Sequence, residues 1–445
     1  MRRLNLAERC PLRLAPGASG VAREVRFGGA RMFFDPGTLE AYEAEAPWER
    51  APMAAGLEPE FPQPPASGPR ALVLSVTHAC NLACRYCYVR AKGAAGGGAR
   101  GVMSRRTARR ALTLLRPPGP WRVGFFGGEP LIAWDLVREV IALARERAEN
   151  AGVRVSFSLT TNGTLLAPQR AEHLARAGCS LILSLDGPRD LHDRERRLGS
   201  KGGSYDLARA GLGNAAAAGL GPRLTLRGTF PLAAPALRAR LEFLNELASQ
   251  GYAQAVSVEP AWPSRGGADR LDRLEGEYLD AARWAAEKLG RGERVRFHHL
   301  QKALERILLL RPAGSECGAG FGYLDVAPDG SLHACHKEAG QRIGHVETGL
   351  VERLRAPWRE NRWYGRESCY RCWARNVCGG GCRALSVEHT DSIARPYPVA
   401  CAVKRLQARM ALYVAAAASR GSLETILPAA PGRAHGVRRA VRDPA

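Results

Sequence analysis

The chain has 445 residues and a 45 % hydrophobic fraction, which excludes a collagen-like chain or one disordered throughout, and the length suits two or three modules. Its 12 cysteines are too dilute over that length to replace a core, as they would in a disulfide miniprotein. Lys+Arg of 65 against Asp+Glu of 43 leave a formal charge of +22, but the arginines are spread along the chain, so the excess reads as a solvated basic surface and nucleic acid is not an expected partner.

Lysine is confined to Lys92, Lys201, Lys288, Lys302, Lys337 and Lys404, so arginine supplies nearly all of the positive charge. No stretch approaches the roughly 18 apolar residues of a membrane helix, and Glu8 and Arg9 interrupt the N-terminus before a signal-peptide core could form. A cytoplasmic protein without a membrane partner is expected. Cysteines there are reduced, so a crowded set reads first as metal ligands or nucleophiles.

Residues 1–66 read as a small β-rich unit and linker. A hairpin is expected from 23–27 and 31–34 about the Gly28-Gly29 turn, with Pro62, Pro64, Pro65 and Gly68 punctuating the loop that follows. Its exposed edge could dock an extended peptide, or the hairpin could cap the next unit. From residue 71 short apolar runs at 71–77, 122–126, 153–160, 181–185, 223–229 and 255–259 alternate with helical patterns at 104–115, 131–148, 169–177, 205–218 and 236–248. This is α/β alternation. Six βα units over residues 67–310 fit a parallel sheet in an open, TIM-like partial (β/α)6 barrel, whose chemistry belongs at the C-terminal ends of the strands. Residues 311–419 form a cysteine-rich domain whose short elements need metal staples, with a closing helix at 410–418. The basic segment 420–445 reads as a disordered tail.

The first cysteine run, Cys80-x3-Cys84-x2-Cys87, directly follows the first barrel strand. At that spacing three thiolates can hold three irons of a [4Fe-4S] unit and leave the fourth iron open to a ligand, whereas zinc sites usually present CxxC pairs and need a fourth protein ligand. Three further motifs end the next strands: Phe126-Gly127-Gly128-Glu129-Pro130, Thr160-Thr161-Asn162-Gly163, and Ser184-Leu185-Asp186-Gly187 with His192, Asp193 and Arg196 beyond it. Each alone is an ordinary turn. The second cysteine set is Cys317 and Cys335, then Cys369-x2-Cys372-x5-Cys378-x3-Cys382, then Cys401. Seven patterned thiolates exceed one site, and soft sulfur ligands suit iron-sulfur clusters or zinc.

On these motifs residues 71–259 resemble the radical S-adenosylmethionine superfamily, and the later cysteines resemble the SPASM extension of its peptide-modifying members. The resemblance implies S-adenosylmethionine and three [4Fe-4S] clusters as cofactors. Cys80, Cys84 and Cys87 would ligate the first cluster, Cys317, Cys335 and Cys382 the inner auxiliary cluster, and Cys369, Cys372, Cys378 and Cys401 the outer one. It implies cofactor contacts from Tyr86 near the adenine, from Gly127, Gly128 and Glu129 at the methionyl amino group, from Asn162, and from Ser184, Asp186 and Arg196 in the segment of ribose and carboxylate contacts.

Two departures bear on the reaction. Related sulfatase-maturing enzymes carry a further cysteine where this chain has Arg311, so the inner cluster lacks an evident fourth ligand and is either open to a substrate thiolate or closed by a residue such as Cys10. They also carry an aspartate where His336 stands, while Cys335-His336-Lys337 and Ile343-Gly344-His345-Val346 resemble thioether-forming and crosslinking maturases. His336 is therefore the candidate base. The expected activity is modification of a ribosomally made peptide or protein precursor: a 5′-deoxyadenosyl radical abstracts hydrogen, and the carbon radical couples to a cysteine sulfur. Carbon–carbon crosslinking, epimerisation and sulfatase-type formylglycine formation are the alternatives. From other classes stand an iron-sulfur electron carrier and a zinc-bound nucleic-acid module. A flavodoxin- or ferredoxin-like protein would donate the electron. Cys179 reads as a buried apolar thiol.

Overall fold

The structure, a computed structural model, describes residues 68–90, 101–199, 202–262, 271–308, 313, 317–337 and 342–418, with the backbone of three strands nearer the N-terminus. Those three are β1 (Arg23–Phe27), β2 (Ala30–Phe34) and β3 (Ala41–Glu43), an antiparallel sheet in which the expected hairpin pairs Arg26 with Arg31. The prolines of the expected linker, Cys10, Arg311 and the tail at 420–445 lie outside the described residues.

In β4 (Ala71–Thr77) Leu72, Leu74 and Val76 alternate with Val73, Ser75 and Thr77, so one face of the strand is wholly apolar, and those three residues are buried. The same logic repeats through α1 (Arg105–Leu112), β5 (Trp121–Gly127), α2 (Trp134–Asn150), β6 (Val155–Thr161), α3 (Pro168–Arg176), β7 (Ser180–Ser184), α4 (Arg189–Glu195), α5 (Tyr205–Ala217), β8 (Leu224–Pro231), α6 (Leu237–Ser249) and β9 (Ala255–Ala261). Helix starts follow local chemistry: Ser104 Oγ accepts from the Thr107 amide at 3.0 Å ahead of α1, and Pro168 opens α3. Leu136, Val137, Val140, Ile141 and Ala144 give α2 an apolar stripe against the sheet. Strands β4 to β9 pair in parallel in sequence order.

Beyond α7 (Leu271–Gly290) and α8 (His298–Leu308) the cysteine-rich segment adds to this sheet. Strand β10 (Tyr323–Val326) pairs in parallel with β4, and β11 (Ser331–His333), β12 (Gly344–His345) and β13 (Gly349–Leu350) follow antiparallel, so ten strands run in the order β13-β12-β11-β10-β4-β5-β6-β7-β8-β9. The barrel is therefore unclosed, with β9 and β13 as its edges. Buried Ser75 donates to buried Asp325 at 2.9 Å across the β4–β10 junction. Of the short helices α9 (Glu352–Glu360), α10 (Glu367–Tyr370), α11 (Arg375–Cys378) and α12 (Arg383–Thr390), α10 carries Cys369 and α11 ends at Cys378, with Cys372 between them and Cys382 directly before α12. The closing helix α13 (Pro398–Ala417) starts twelve residues earlier than its apolar periodicity suggested, at a proline on its first turn, and packs against α7 and α8. No helix among the described residues is long and apolar enough to cross a membrane.

Candidate functional site

The loop after β4 carries Cys80, Cys84 and Cys87 to the C-terminal mouth of the sheet. Its backbone is held from two sides: Ala83 and Arg85 donate to the carbonyls of Arg197 and Glu195 at 2.7 and 3.0 Å, at the end of α4, while Gly128 and Glu129 donate to those of Thr77 and Ala79 at 2.7 and 2.9 Å. Gly127 and Gly128 are required by this second approach. A Cβ on Gly127, at φ +135°, would lie 2.1 Å from the Thr77 carbonyl oxygen, and one on Gly128 would lie 2.2 Å from that of Ala79. The close neighbour of these glycines is thus the cysteine loop itself.

Glu129 stands behind the site. Its fully buried carboxylate accepts from the Leu131 amide at 3.0 Å, Thr161 Oγ1 at 2.7 Å and the Asn162 amide at 2.8 Å, which ties the end of β5 to the end of β6. Burial raises its pKa and those hydrogen bonds pull it back. Asn162, so positioned, directs Nδ2 at Asn81 Oδ1 at 3.0 Å and at Cys80 Sγ at 3.8 Å. Asp186 is buried too: Oδ2 accepts from Tyr86 at 2.5 Å, and Oδ1 accepts from Arg196 Nε at 3.0 Å and the Thr229 amide at 2.9 Å. The Arg196 guanidinium lies 5.5 Å from the Tyr86 ring centroid.

His192 completes this wall. The Asp186 amide donates to its Nδ1 at 3.3 Å, Nε2 faces Ser204 Oγ at 3.0 Å, and Ser204 donates to the Arg196 carbonyl at 2.8 Å. That chain fixes a neutral ring, and burial, with Arg196, lowers its pKa to about 4. Asp193 accepts from the Tyr205 amide at 2.8 Å at the start of α5. Of the polar residues expected near a ligand, Tyr86, Gly127, Gly128, Asn162, Ser184 and Arg196 line a cleft at the strand ends; Glu129, Asp186, His192 and Asp193 do not line it. The cleft encloses about 1240 Å³ of space, part of it open solvent.

The Radical SAM superfamily model matches residues 74–231, which run from β4 through β8 and include the three loop cysteines and every one of these strand-end motifs. This chain carries a radical SAM domain. The protein is accordingly an enzyme, and the domain binds S-adenosylmethionine and a [4Fe-4S] cluster. Among curated proteins it is 28% identical over 363 residues to a serine-type anaerobic sulfatase-maturating enzyme of Klebsiella aerogenes, covering 76% of this chain and 83% of that one. It is also 28% identical over 345 residues to the mycofactocin maturase MftC of Mycobacterium tuberculosis, covering 71% and 78%. Among solved structures, native anSMEcpe with bound AdoMet superposes with a TM-score of 0.63 at 19% identity over 76% of this chain and 95% of that one, a likeness of fold.

Outside the radical SAM domain's motifs, Cys317, Cys335 and Cys382 lie within electrostatic reach of one another, and so do Cys369, Cys372, Cys378 and Cys401. Cys335, pushed up to about 11 by burial, is influenced by Cys382 and Cys317; Cys401, likewise at about 11, is influenced by Cys378, Cys369 and Cys372. Cys80 reaches about 11 by desolvation within its loop, with Glu129, Cys84 and Cys87 adding to the rise, although the residue keeps access to solvent. Among the described residues no three His, Cys, Asp or Glu side chains converge as ligands of a single ion. Cys179 is buried, pushed up to about 12, and stands apart from all three groups.

His336 lines the cleft, its ring centroid 4.7 Å from that of Phe126. The opposite wall holds residues that sequence reasoning passed over. Arg227 on β8 donates to Glu259 on β9 at 3.1 Å, with His299 at 3.6 Å from the same carboxylate. Burial would raise the Glu259 carboxyl, but Arg227 and His299 hold it well below its usual range. Tyr88, Trp262 and Lys337 complete this side. The available signal was a charged residue within each of two apolar strands.

Proposed function

We propose that this enzyme is a radical S-adenosylmethionine maturase that crosslinks a ribosomally made peptide or protein precursor, most directly by joining a cysteine sulfur to a carbon. The observation that carries this reading is the grouping of ten cysteines as three, three and four, with the first group and His336 opening on one cleft. Two closed zinc sites need eight ligands and the second cysteine set has seven, so the count suits [4Fe-4S] clusters better than zinc. Residues 67–310 form the radical SAM unit and residues 311–419 the auxiliary unit, with residues 1–66 as the docking element.

When bound, the first cluster and S-adenosylmethionine supply a carbon radical able to abstract hydrogen from the substrate. The chain's own residues orient the reactants. Tyr86 and Arg196, fixed by Asp186, would hold the nucleoside and carboxylate ends, and the Gly127-Gly128 backbone and Asn162 the amino end. Ser184 lies at the same strand-end rim. His336 is placed to accept the proton released as the bond forms, and Arg227 and Glu259 would meet the incoming peptide. The outer auxiliary group, with four thiols, would be fully ligated; the inner one, with three among the described residues, would be either open to a substrate thiolate or closed by a residue such as Cys10, which lies outside them. An open iron there would favour the thioether. The sulfatase-maturating relative favours a second reading, oxidation of a serine or cysteine to formylglycine.

Replacing Cys80, Cys84 and Cys87 together by Ala should abolish 5′-deoxyadenosine formation and remove about four of about twelve irons per chain. Undiminished 5′-deoxyadenosine would overturn the assignment. Mass spectrometry of a co-expressed cysteine-containing precursor discriminates the bond: a thioether removes two hydrogens and consumes an alkylatable thiol without creating a carbonyl, whereas a hydrazide-reactive aldehyde would establish formylglycine.

A further inference from the structure

Two arginines of the cysteine-rich region have positions that ligand holding does not explain. Arg366, three residues before Cys369, is 7% exposed, and Arg383, next to Cys382, is 3% exposed. Arg366 donates Nε to Asn361 Oδ1 at 2.8 Å and Nη1 to the Gly380 carbonyl at 3.1 Å. Arg383 donates to the carbonyls of Trp358 at 2.6 Å, of Asn361 at 2.9 Å and of Cys317 at 3.4 Å. Asn361 therefore ties the two guanidinium groups together. Arg366 makes no ion pair with a carboxylate among the described residues. It contacts Cys369 of the outer group and its charge also acts on Cys317 of the inner group.

A buried cation is costly unless an anion compensates it. Thiolate-ligated clusters are anionic, and Arg366 touches one of the two cysteine groups and, through Asn361 and Arg383, is linked to the backbone of Cys317 in the other. Building on the three-cluster reading, we propose that Arg366 is the shared counter-ion of the two auxiliary clusters and raises the reduction potential of both, that of the Cys369 cluster more. It is a positioning residue in the electrostatic sense: by favouring the reduced clusters it makes them better acceptors of the electron left over when the substrate bond forms.

The test is EPR-monitored potentiometry of the reconstituted full-length enzyme, with iron counted per chain. R366Q should retain its iron and show, at fixed poise, about a tenfold lower ratio of reduced to oxidised Cys369 cluster, equivalent to about 59 mV for a one-electron couple. The Cys317 cluster should shift less in the same direction, and R366K should stay within about threefold of wild type. Midpoints unchanged in R366Q with full iron overturn the proposal. If R366Q cannot hold auxiliary iron, R366K decides: retained iron with near-native midpoints supports the charge, and loss of iron in both variants assigns Arg366 to the fold and overturns it. Wild-type enzyme carrying only about four irons would refute the three-cluster reading itself, a different failure from an unchanged potential.

Discussion

Replacing Asp186 by Asn keeps the shape of a buried side chain and removes its charge. Oδ1 retains the Arg196 and Thr229 donors, and Tyr86 can turn its hydroxyl to accept from the new amide. What is lost is the anion beside Arg196, whose side chain is only 10% exposed while that of Asp186 is 0% exposed. Breaking a buried pair by removing one partner costs about 3–5 kcal/mol, and because the replacement preserves hydrogen bonding the lower end, about 3 kcal/mol, applies here. Anaerobic urea unfolding of the reduced, metal-free protein, followed by tryptophan fluorescence, should show this loss at pH 7.5. Adding Arg196→Met removes the stranded cation, so the double variant should recover about 1–3 kcal/mol relative to the sum of the single ones. Stability of the Asp186→Asn variant within about 0.5 kcal/mol of wild type, or strict additivity in the cycle, would refute the claim that this pair anchors the cysteine loop.

Three further outcomes follow from the same wall and mouth. His192, at about 4 against an ordinary value of 6.5, is neutral in the fold, so its contribution is complete above about pH 6.5 and is lost as pH falls towards 4, by about 3 kcal/mol at most; His192→Asn should flatten that part of a stability-against-pH curve, and an unchanged slope would count against a buried neutral ring. Gly128→Ala must displace the Ala79 carbonyl by roughly an ångström, so the purified variant should bind markedly less iron at the first site than wild type while keeping auxiliary iron; full first-site iron would contradict the packing. Glu259→Gln removes the partner of Arg227 on the far wall of the cleft, and should raise KM for a precursor peptide by about tenfold, with uncoupled S-adenosylmethionine cleavage preserved; equal loss of both activities would place Glu259 with the cofactor instead.

Much of this architecture was legible from residue pattern. The six parallel strands end within about two residues of the positions that apolar runs and turn motifs imply, because those runs are long enough to carry a period. Strands β10 to β13 have only two to four residues each, too few for any alternation to register, so the continuity of the sheet into the cysteine-rich region was invisible. The cysteines of the first loop could be read from spacing, since three thiols at CxxxCxxC directly after a strand are too crowded to be incidental core residues. Glu129, Asp186 and His192 show the limit: a motif places a residue at a strand end without saying whether it faces the cleft or braces the wall behind it, and these three brace it. Arg227 and Glu259 have no motif at all, only charge on apolar strands.

The junction of β10 with β4 restricts how anything can enter. Tyr323 to Val326 run in register with Ala71 to Leu74, so the segment leading to Cys80 and the segment leading to Cys335 share one hydrogen-bonded ladder. Parting the two halves would break that ladder and the buried Ser75–Asp325 contact, a concerted cost far above that of turning a loop. The strand that leads to Cys80 and the segment that leads to Cys335 therefore move as one body, and any widening of the cleft falls to the loops around its mouth.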